Sequence, residues 1–248
     1  MLKIIKKLQL VFKAINQIDN WGDYLGDHLN LKRGFIIYNI KGKRIKTRAG
    51  TTDKNIITEI VLTDKYFPEW LRLENDGVVI DLGAHIGIFS VMVNRKVYAI
   101  EPNKENFGLL SENIKLNHNN ITPIKLAISD KNGKETLWNG VHSARNSLTR
   151  IETENSEVVN TMTLKHFFDK NKIKKCDLLK IDVEGAEYKI LYSTPDSIFN
   201  KIKRIVMEIH PIEGKSKQEL VEFIKSKNFD VRFNPYESIL WALKKEKV

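Results

Sequence analysis

From residue 77 onward the chain alternates apolar, β-branched runs with amphipathic stretches, and no other feature limits its fold as much. "GVVIDL" stops at Asp81, a glycine turn follows, and helical spacing runs from about 86 to 94. Strand "VYAI" (97–100), a long helical stretch at 103–117 and strand "TPIKLAI" (122–128) come next. "SDKNGKETLWNG" reads as a hairpin about Asn132-Gly133, and "EVVNTMTLKHFFDK" as a strand entering a short helix. Alternation resumes with strand "DLLKIDV" (177–183), helix "AEYKILYS", strand "RIVMEIH" (204–210) and helix "SKQELVEFIKSK". Two adjacent strands, "FDVRF" and "SILWALK", finish the pattern. Strand–helix–strand units with short turns predict an α/β fold: a parallel sheet, helices on both faces, right-handed crossovers. The two final strands predict an antiparallel close to that sheet.

Residues 1–76 read differently and are expected to form a basic appendage packed on a core domain at 77–248. Leu2, Ile5, Leu8, Phe12 and Ile15 recur at helical spacing with lysines opposite, an amphipathic helix whose apolar stripe is expected to cap the core. "GFIIYNIKGKRIKTRAG" predicts a β-hairpin turning at Lys41-Gly42. "NIITEIVLTDKYF" fits a helix or a strand, ended by Pro68.

The formal net charge of +10 is unevenly placed. Residues 1–50 hold eleven Lys/Arg against three Asp, a balance of +8 that leaves only +2 for the rest. Such asymmetry points to an anionic membrane surface, a phosphorylated substrate or nucleic acid, with a merely solvated lysine-rich surface as the plain alternative. Nine arginines against 32 lysines weigh against base and phosphate recognition, where the bidentate guanidinium is preferred. No run approaches the roughly 20 apolar residues of a membrane span, and lysines interrupt any signal-peptide core near the N-terminus. The single cysteine, Cys176, excludes an internal disulfide and a cysteine-cluster zinc site. A cytoplasmic protein, at most peripheral to the membrane, is the expectation.

In an open parallel sheet, ligands bind beyond the carboxyl ends of the strands. The first strand–turn–helix is therefore the expected cradle, with Gly83 and Gly87 leaving its backbone bare. Glu101, 20 residues after Asp81, ends the second strand, where a carboxylate accepts both hydroxyls of a ribose. The loop Gly83-Ala84-His85-Ile86-Gly87 lacks the middle glycine that lets a dinucleotide pyrophosphate approach, so a nicotinamide oxidoreductase is disfavoured. Asp81 beside the loop repels phosphates and suits an ammonium. A ligand with a cationic amino-acid end and a ribose meets both conditions: S-adenosyl-L-methionine.

"VVIDLGAHIGIFS", "YAIEPNKENFGLLSENIKLN", "AISDKNG" and, most specifically, "LLKIDVEGAEYKIL" together resemble the FkbM family of S-adenosylmethionine-dependent methyltransferases. "RAGTTDKNIITEIVLTDKY" resembles the segment preceding that family's first strand, so the likeness covers roughly residues 45–210. It implies a Rossmann-like class I fold with seven strands, the last antiparallel. It further implies that Gly83, Ala84 and Gly87 meet the methionine part of the cofactor and that Asp81 orients it. Glu101 would hold the ribose, Asn103 would open the next helix, and Ala127 and Ile128 would flank the adenine. His85 stands where the family commonly has Asn and is expected to point away from the cofactor. Lys165 stands where Asp is usual, which weighs against a substrate or metal role there, and no metal ligand is assigned.

A hydroxyl acceptor is a poor nucleophile at neutral pH and needs a general base. Period-2 alternation places Lys180, Asp182 and Glu184 on one face of the fourth strand, and Glu208 and His210 share a face of the fifth. All four acid–base candidates (Asp182, Glu184, Glu208, His210) lie at carboxyl ends of strands. The plainer readings are a helix cap for Asp182 and Glu184 and a structural pair for Glu208 and His210. His142, Ser143 and Ser147 read as a solvated loop, with an active-site edge as the alternative, and Glu59 and Tyr66 as packing residues of the appendage, with a lid from that segment as the alternative. The resulting expectation is O-methylation of a saccharide or other small-molecule acceptor. An RNA ribose or base methyltransferase using the basic N-terminal region is a weaker rival: "DVEG" replaces the proline-rich loop of amino-group methylation, Cys176 precedes the fourth strand, and no lysine marks the fifth. A non-catalytic scaffold of the same fold is the other rival.

Overall fold

The computed structural model describes residues 2–63, 65–66, 68–71, 73, 77–93, 95–118, 120–140, 146–149 and 155–246, the side chains of residues 2–7 and 69 apart. His142 and Ser143 fall outside these residues. A seven-stranded sheet organises the molecule. Its strands, in chain order, are β3 (Val78–Leu82), β4 (Lys96–Ile100), β5 (Ile121–Ile124), β9 (Cys176–Ile181), β10 (Arg204–Glu208), β11 (Phe229–Asn234) and β12 (Ile239–Lys244). Across the sheet they run β11-β12-β10-β9-β3-β4-β5. Only β12 runs against its neighbours, antiparallel to both β10 and β11. The antiparallel close expected from "FDVRF" and "SILWALK" is therefore present.

Every residue of β9 is buried, as in a strand covered on both faces. Alternate residues feed two cores. Ile80, Leu179 and Ile205 pack with α6 (Leu164–Lys170), α7 (Glu187–Ser193) and α9 (Lys217–Ser226). Val79, Leu178 and Val206 pack on the other side with α4 (Ile88–Val93) and α5 (Lys104–Asn117).

The N-terminal segment completes this second layer. It comprises α1 (Leu2–Gln17), α2 (Trp21–His28), the hairpin β1 (Phe35–Ile40) and β2 (Lys43–Arg48), and α3 (Asp53–Ile57). The hairpin turns through Lys41 (φ 49°) and Gly42 (φ 75°), the left-handed pair that matches strand twist. The ambiguous "NIITEIVL" is helical, and α3 runs on into a π-helical turn over Thr58–Leu62. Tyr38, Ile45 and Ile57 are fully buried in the same cluster as Val79. Asparagines of α5 add a polar seam: Asn113 and Asn117 accept the backbone N–H groups of Lys46 (2.7 Å) and Arg44 (2.8 Å).

Three expectations fail for tertiary reasons. "TPIKLAI" is not one strand: β5 ends at Ile124, and Ala127–Ser129 (β6) leaves for a second sheet. The strands flanking Asn132-Gly133 form no hairpin, because β8 (Ser156–Thr163) lies between β6 and β7 (Gly133–Trp138) and pairs with both. The α1 stripe does not cap the core. Leu8, Phe12 and Ile15 are 64%, 68% and 44% exposed, while Ala14 and Leu10 face inward.

Candidate active site

A cavity of about 530 Å³ opens at the carboxyl ends of β3, β4, β9 and β10, within the size range of small-molecule sites. Its floor is the turn after β3. The carbonyl of Ile100 accepts the N–H groups of both Gly83 and Ala84 at 3.0 Å, tying the turn to the neighbouring strand. Gly83 sits at φ 76°, and a Cβ there would lie 1.8 Å from the carbonyl oxygen of Asp182. The backbone is bare at this point chiefly so that β9 can pass.

One end of the cavity is apolar with a single acid. Ile100, Leu126, Ala127, Ile128 and Leu137 supply its apolar lining. Glu101 lies beside it, 5% exposed, accepting the N–H of Asn103 (2.9 Å) on one oxygen and that of His85 (2.8 Å) on the other. Burial pushes its carboxyl up to about 7, opposed by those two N–H groups. Each carboxylate oxygen keeps a second lone-pair site, so a ribose diol can still be bound.

The opposite end is a charged cluster. Lys180, 3% exposed, reaches the Gly83 carbonyl (3.1 Å), Asp81 (3.1 Å) and Asp182 (3.5 Å). Burial would lower its pKa, but the two carboxylates outweigh it and hold it above the usual lysine value. Asp182 is held below the usual range because Lys180 and His210 overcome its burial. His210 Nδ1 lies 2.8 Å from Glu187 Oε1, and its Nε2 lies 3.3 Å from Glu184 Oε2. Burial disfavours the imidazolium, yet Glu187, Asp182 and Glu184 raise His210 to about 9. Burial raises Glu184 to about 7, against the pull of His210.

Glu184 was placed by strand alternation, but β9 ends at Ile181 and Glu184 lies in a turn at φ 52°. A left-handed backbone is uncommon for a residue other than glycine and costs of order 1 kcal/mol. Glu184 nevertheless faces the cavity, as do Asp182, Glu208 and His210.

Of the residues the sequence assigns to the cofactor, Gly83, Ala84, Glu101, Ala127 and Ile128 line the cavity, and Asp81, Gly87 and Asn103 do not. Asp81 is fully buried behind it, accepting the Ser90 hydroxyl (2.7 Å) and pairing with Lys180. Gly87 gives room to α5, since a Cβ there would meet Leu110 Cδ1 at 2.5 Å. Asn103 caps α5, accepting the N–H groups of Glu105 (3.1 Å) and Asn106 (3.0 Å). His85 does line the cavity, at φ 51°, with Nε2 turned toward Asp53 (3.7 Å) and Arg48 (3.4 Å). Burial brings it down to about 4, so it is neutral. Lys165 pairs with Asp169 (2.6 Å) on an exposed helix face, away from the cavity.

Sequence reasoning missed two contributions. The appendage supplies a wall: Asn55, Glu59 and Tyr66 line the cavity, the last two against the expectation of plain packing. The Tyr66 hydroxyl lies 3.2 Å from Asp182 and 3.3 Å from Glu208, and Lys65 pairs with Glu208 at 2.7 Å. Glu59 sits in the π-helical turn over Thr58–Leu62, and such turns recur at functional sites. Glu187, fully buried behind His210, is the other. Its one signal was the acidic residue three positions after Glu184 in "VEGAE".

A sheet in this order, with its cleft beyond the first and fourth strands, defines the Rossmann-like class I methyltransferase fold. The chain belongs to the FkbM family of S-adenosylmethionine-dependent methyltransferases, residues 81–231 matching the methyltransferase FkbM domain. It is 27% identical over 139 residues to the hexuronic acid methyltransferase AglP of Haloferax volcanii, covering 55% of this chain and 57% of that one. It is 26% identical over 208 residues to the 31-O-demethyl-FK506 methyltransferase FkbM of Streptomyces tacrolimicus, covering 69% and 80%. The likeness to AglP therefore reaches little more than half of either protein. The crystal structure of the SAM-dependent methyltransferase from Agrobacterium tumefaciens aligns over 87% of this chain and 72% of that one, at 11% identity and a TM-score of 0.48.

Proposed function

We propose that this protein methylates a hydroxyl oxygen of a saccharide or other small-molecule acceptor, with Glu184 as the proton acceptor. The observation that carries the reading is the Glu184–His210–Glu187 chain at one end of a cavity whose other end fits a nucleoside. Bound S-adenosylmethionine supplies an electrophilic methyl group. Glu101 would hold its ribose, the Ala127–Ile128 slot its base, and the Gly83–His85 turn its amino-acid end.

The chain's own residues do the rest. A carboxyl group near 7 is ionised for a useful fraction of the time at neutral pH and is still basic enough to take a hydroxyl proton. His210, kept protonated by buried Glu187, holds Glu184 in place and stabilises its charge. Asp182, Tyr66 and Glu208 fix the adjacent wall, and Asn55 and Glu59 offer hydrogen bonds to the acceptor's other oxygens. The names of the two relatives, one acting on a hexuronic acid and one on a demethylated natural product, support an oxygen acceptor of this kind.

The test is incubation with methyl-labelled S-adenosylmethionine and a panel of hexuronic acids, neutral glycosides, hydroxylated macrocycles and RNA. Label in a saccharide or macrocycle ether, lost in Glu184→Gln, supports the proposal. Label in RNA overturns the acceptor class. S-adenosylhomocysteine binding with no transfer to any hydroxyl favours a non-catalytic scaffold.

A further inference from the structure

Eleven large hydrophobic side chains are exposed among the described residues, and eight of them fall between residues 8 and 37. This crowding coincides with the segment that carries +8 of the net charge. On α1, Leu8, Phe12 and Ile15 fall within about 60° of one another at 100° per residue. They point away from the side on which Ala14 and Leu10 meet the core. Beyond α2, Leu29, Leu31 and Phe35 are 70%, 73% and 60% exposed, flanking the basic pair Lys32 and Arg33. Concentrated exposed apolar area of this kind marks an interaction surface.

We propose that residues 1–50 dock this protein onto an anionic lipid surface, with the α1 stripe lying in the interface plane. The charge decides between occupants. A second copy would bring two segments of formal charge +8 together, and like charges juxtaposed across an interface are costly. Nucleic acid would satisfy the lysines and leave the leucines and Phe12 in water. A bilayer with anionic headgroups meets both: acyl chains take the apolar stripe, and the negative surface attracts the basic residues. No helix among the described residues is long and apolar enough to cross a membrane, so the contact is one that lies on it. The inference stands apart from the chemistry proposed for the cavity.

The test is co-sedimentation of the full chain with vesicles of phosphatidylglycerol and phosphatidylcholine in equal parts, beside vesicles of phosphatidylcholine alone. Binding is expected to the anionic vesicles only. It should weaken on going from about 0.1 M to about 1 M salt, where the screening length falls from about 10 Å to about 3 Å. The double variant Leu8→Ser/Phe12→Ser should lose at least about tenfold in partitioning, as should Lys6→Glu/Lys7→Glu, each basic residue being worth about 1 kcal/mol near such a surface. Unchanged S-adenosylhomocysteine affinity in both variants would show that the fold is intact. No binding of the unaltered chain to anionic vesicles overturns the proposal. Equal binding to neutral vesicles does so too, as does a dimer that Phe12→Ser dissociates.

Discussion

The two ends of the cavity are built in different ways. The apolar end comes from three consecutive strand ends, each meeting its neighbour within about 25 residues of sequence: the 83–85 turn, Glu101 and the 126–128 segment. The acid–base end draws on residues 55–66, 180–187 and 208–210, and its bonds span up to 143 residues. The first end is largely apolar and carries one acid, Glu101. The second is a network of Lys180, Asp182, Glu184, Glu187, Glu208 and His210, in which charged neighbours oppose the effect of burial on Lys180, Asp182, Glu184 and His210. Binding and chemistry should therefore be separable by mutation.

The largest effect expected is on chemistry alone. Glu184→Gln should lower kcat by about 10²- to 10⁴-fold, the usual worth of a positioned general base, while S-adenosylhomocysteine affinity by titration calorimetry stays within about twofold. In the unaltered enzyme kcat/KM should rise as pH passes about 7, where Glu184 loses its proton. It should fall above about 9, where His210 loses the positive charge that holds Glu184. A profile flat from 6 to 10 would remove the pair from the mechanism.

Gly83→Ala probes the point where the two ends meet. A methyl group there collides with the Asp182 carbonyl and forces an alanine to φ 76°. A loss of about 2 kcal/mol or more is expected from overpacking and left-handed strain together, read as a shift in urea midpoint at unchanged slope. Wild-type stability in this variant would mean that β9 and the turn are not in the contact described.

Glu101→Gln should weaken S-adenosylhomocysteine binding by about tenfold, or 1.4 kcal/mol, with kcat at saturating cofactor little changed. Ribose hydroxyls donate to the ionised carboxylate, and Glu101 is protonated below about 7. Affinity in the unaltered protein should accordingly fall as pH drops below 7, by at most tenfold per unit. The variant should show no such slope, and a slope that persists would place the titrating group elsewhere. The smallest effect is Tyr66→Phe. Its hydroxyl bonds to Asp182 and Glu208 are long, at 3.2 and 3.3 Å, so their loss should raise the acceptor KM about threefold, near the lower end of the range for one net hydrogen bond.

The sequence shows its own share of this division. Gly83, Glu101 and the Asn103 cap belong to motifs in which chain neighbours cooperate, and strand β3 to helix α5 appears within two residues of its expected bounds. The break between β5 and β6 was hidden because Ala127–Ser129 reads as strand either way. Which sheet it joins depends on β8, more than 30 residues away. Glu184 was found by a strand alternation that stops before reaching it, so the residue was legible and its geometry was not. Nothing near Glu59 or Tyr66 distinguishes a cavity wall from packing, because the surface they cover is made by β9 and β10.

By itself, then, the sequence determined most elements of this protein, their order, and the residues at the apolar end of its cavity, Gly83, Ala84, Glu101, Ala127 and Ile128. Periodicity, glycine placement and capping are interactions among residues close along the chain, and they leave their mark in composition and spacing. Tertiary structure alone decided that the α1 stripe is turned away from the core, that Glu59 and Tyr66 line the cavity, and that Glu187 stands behind His210. An apolar stripe has the same pattern whether it meets a core or solvent. Only the positions of the other helices, fixed by burial summed over the whole molecule, determine which one it faces.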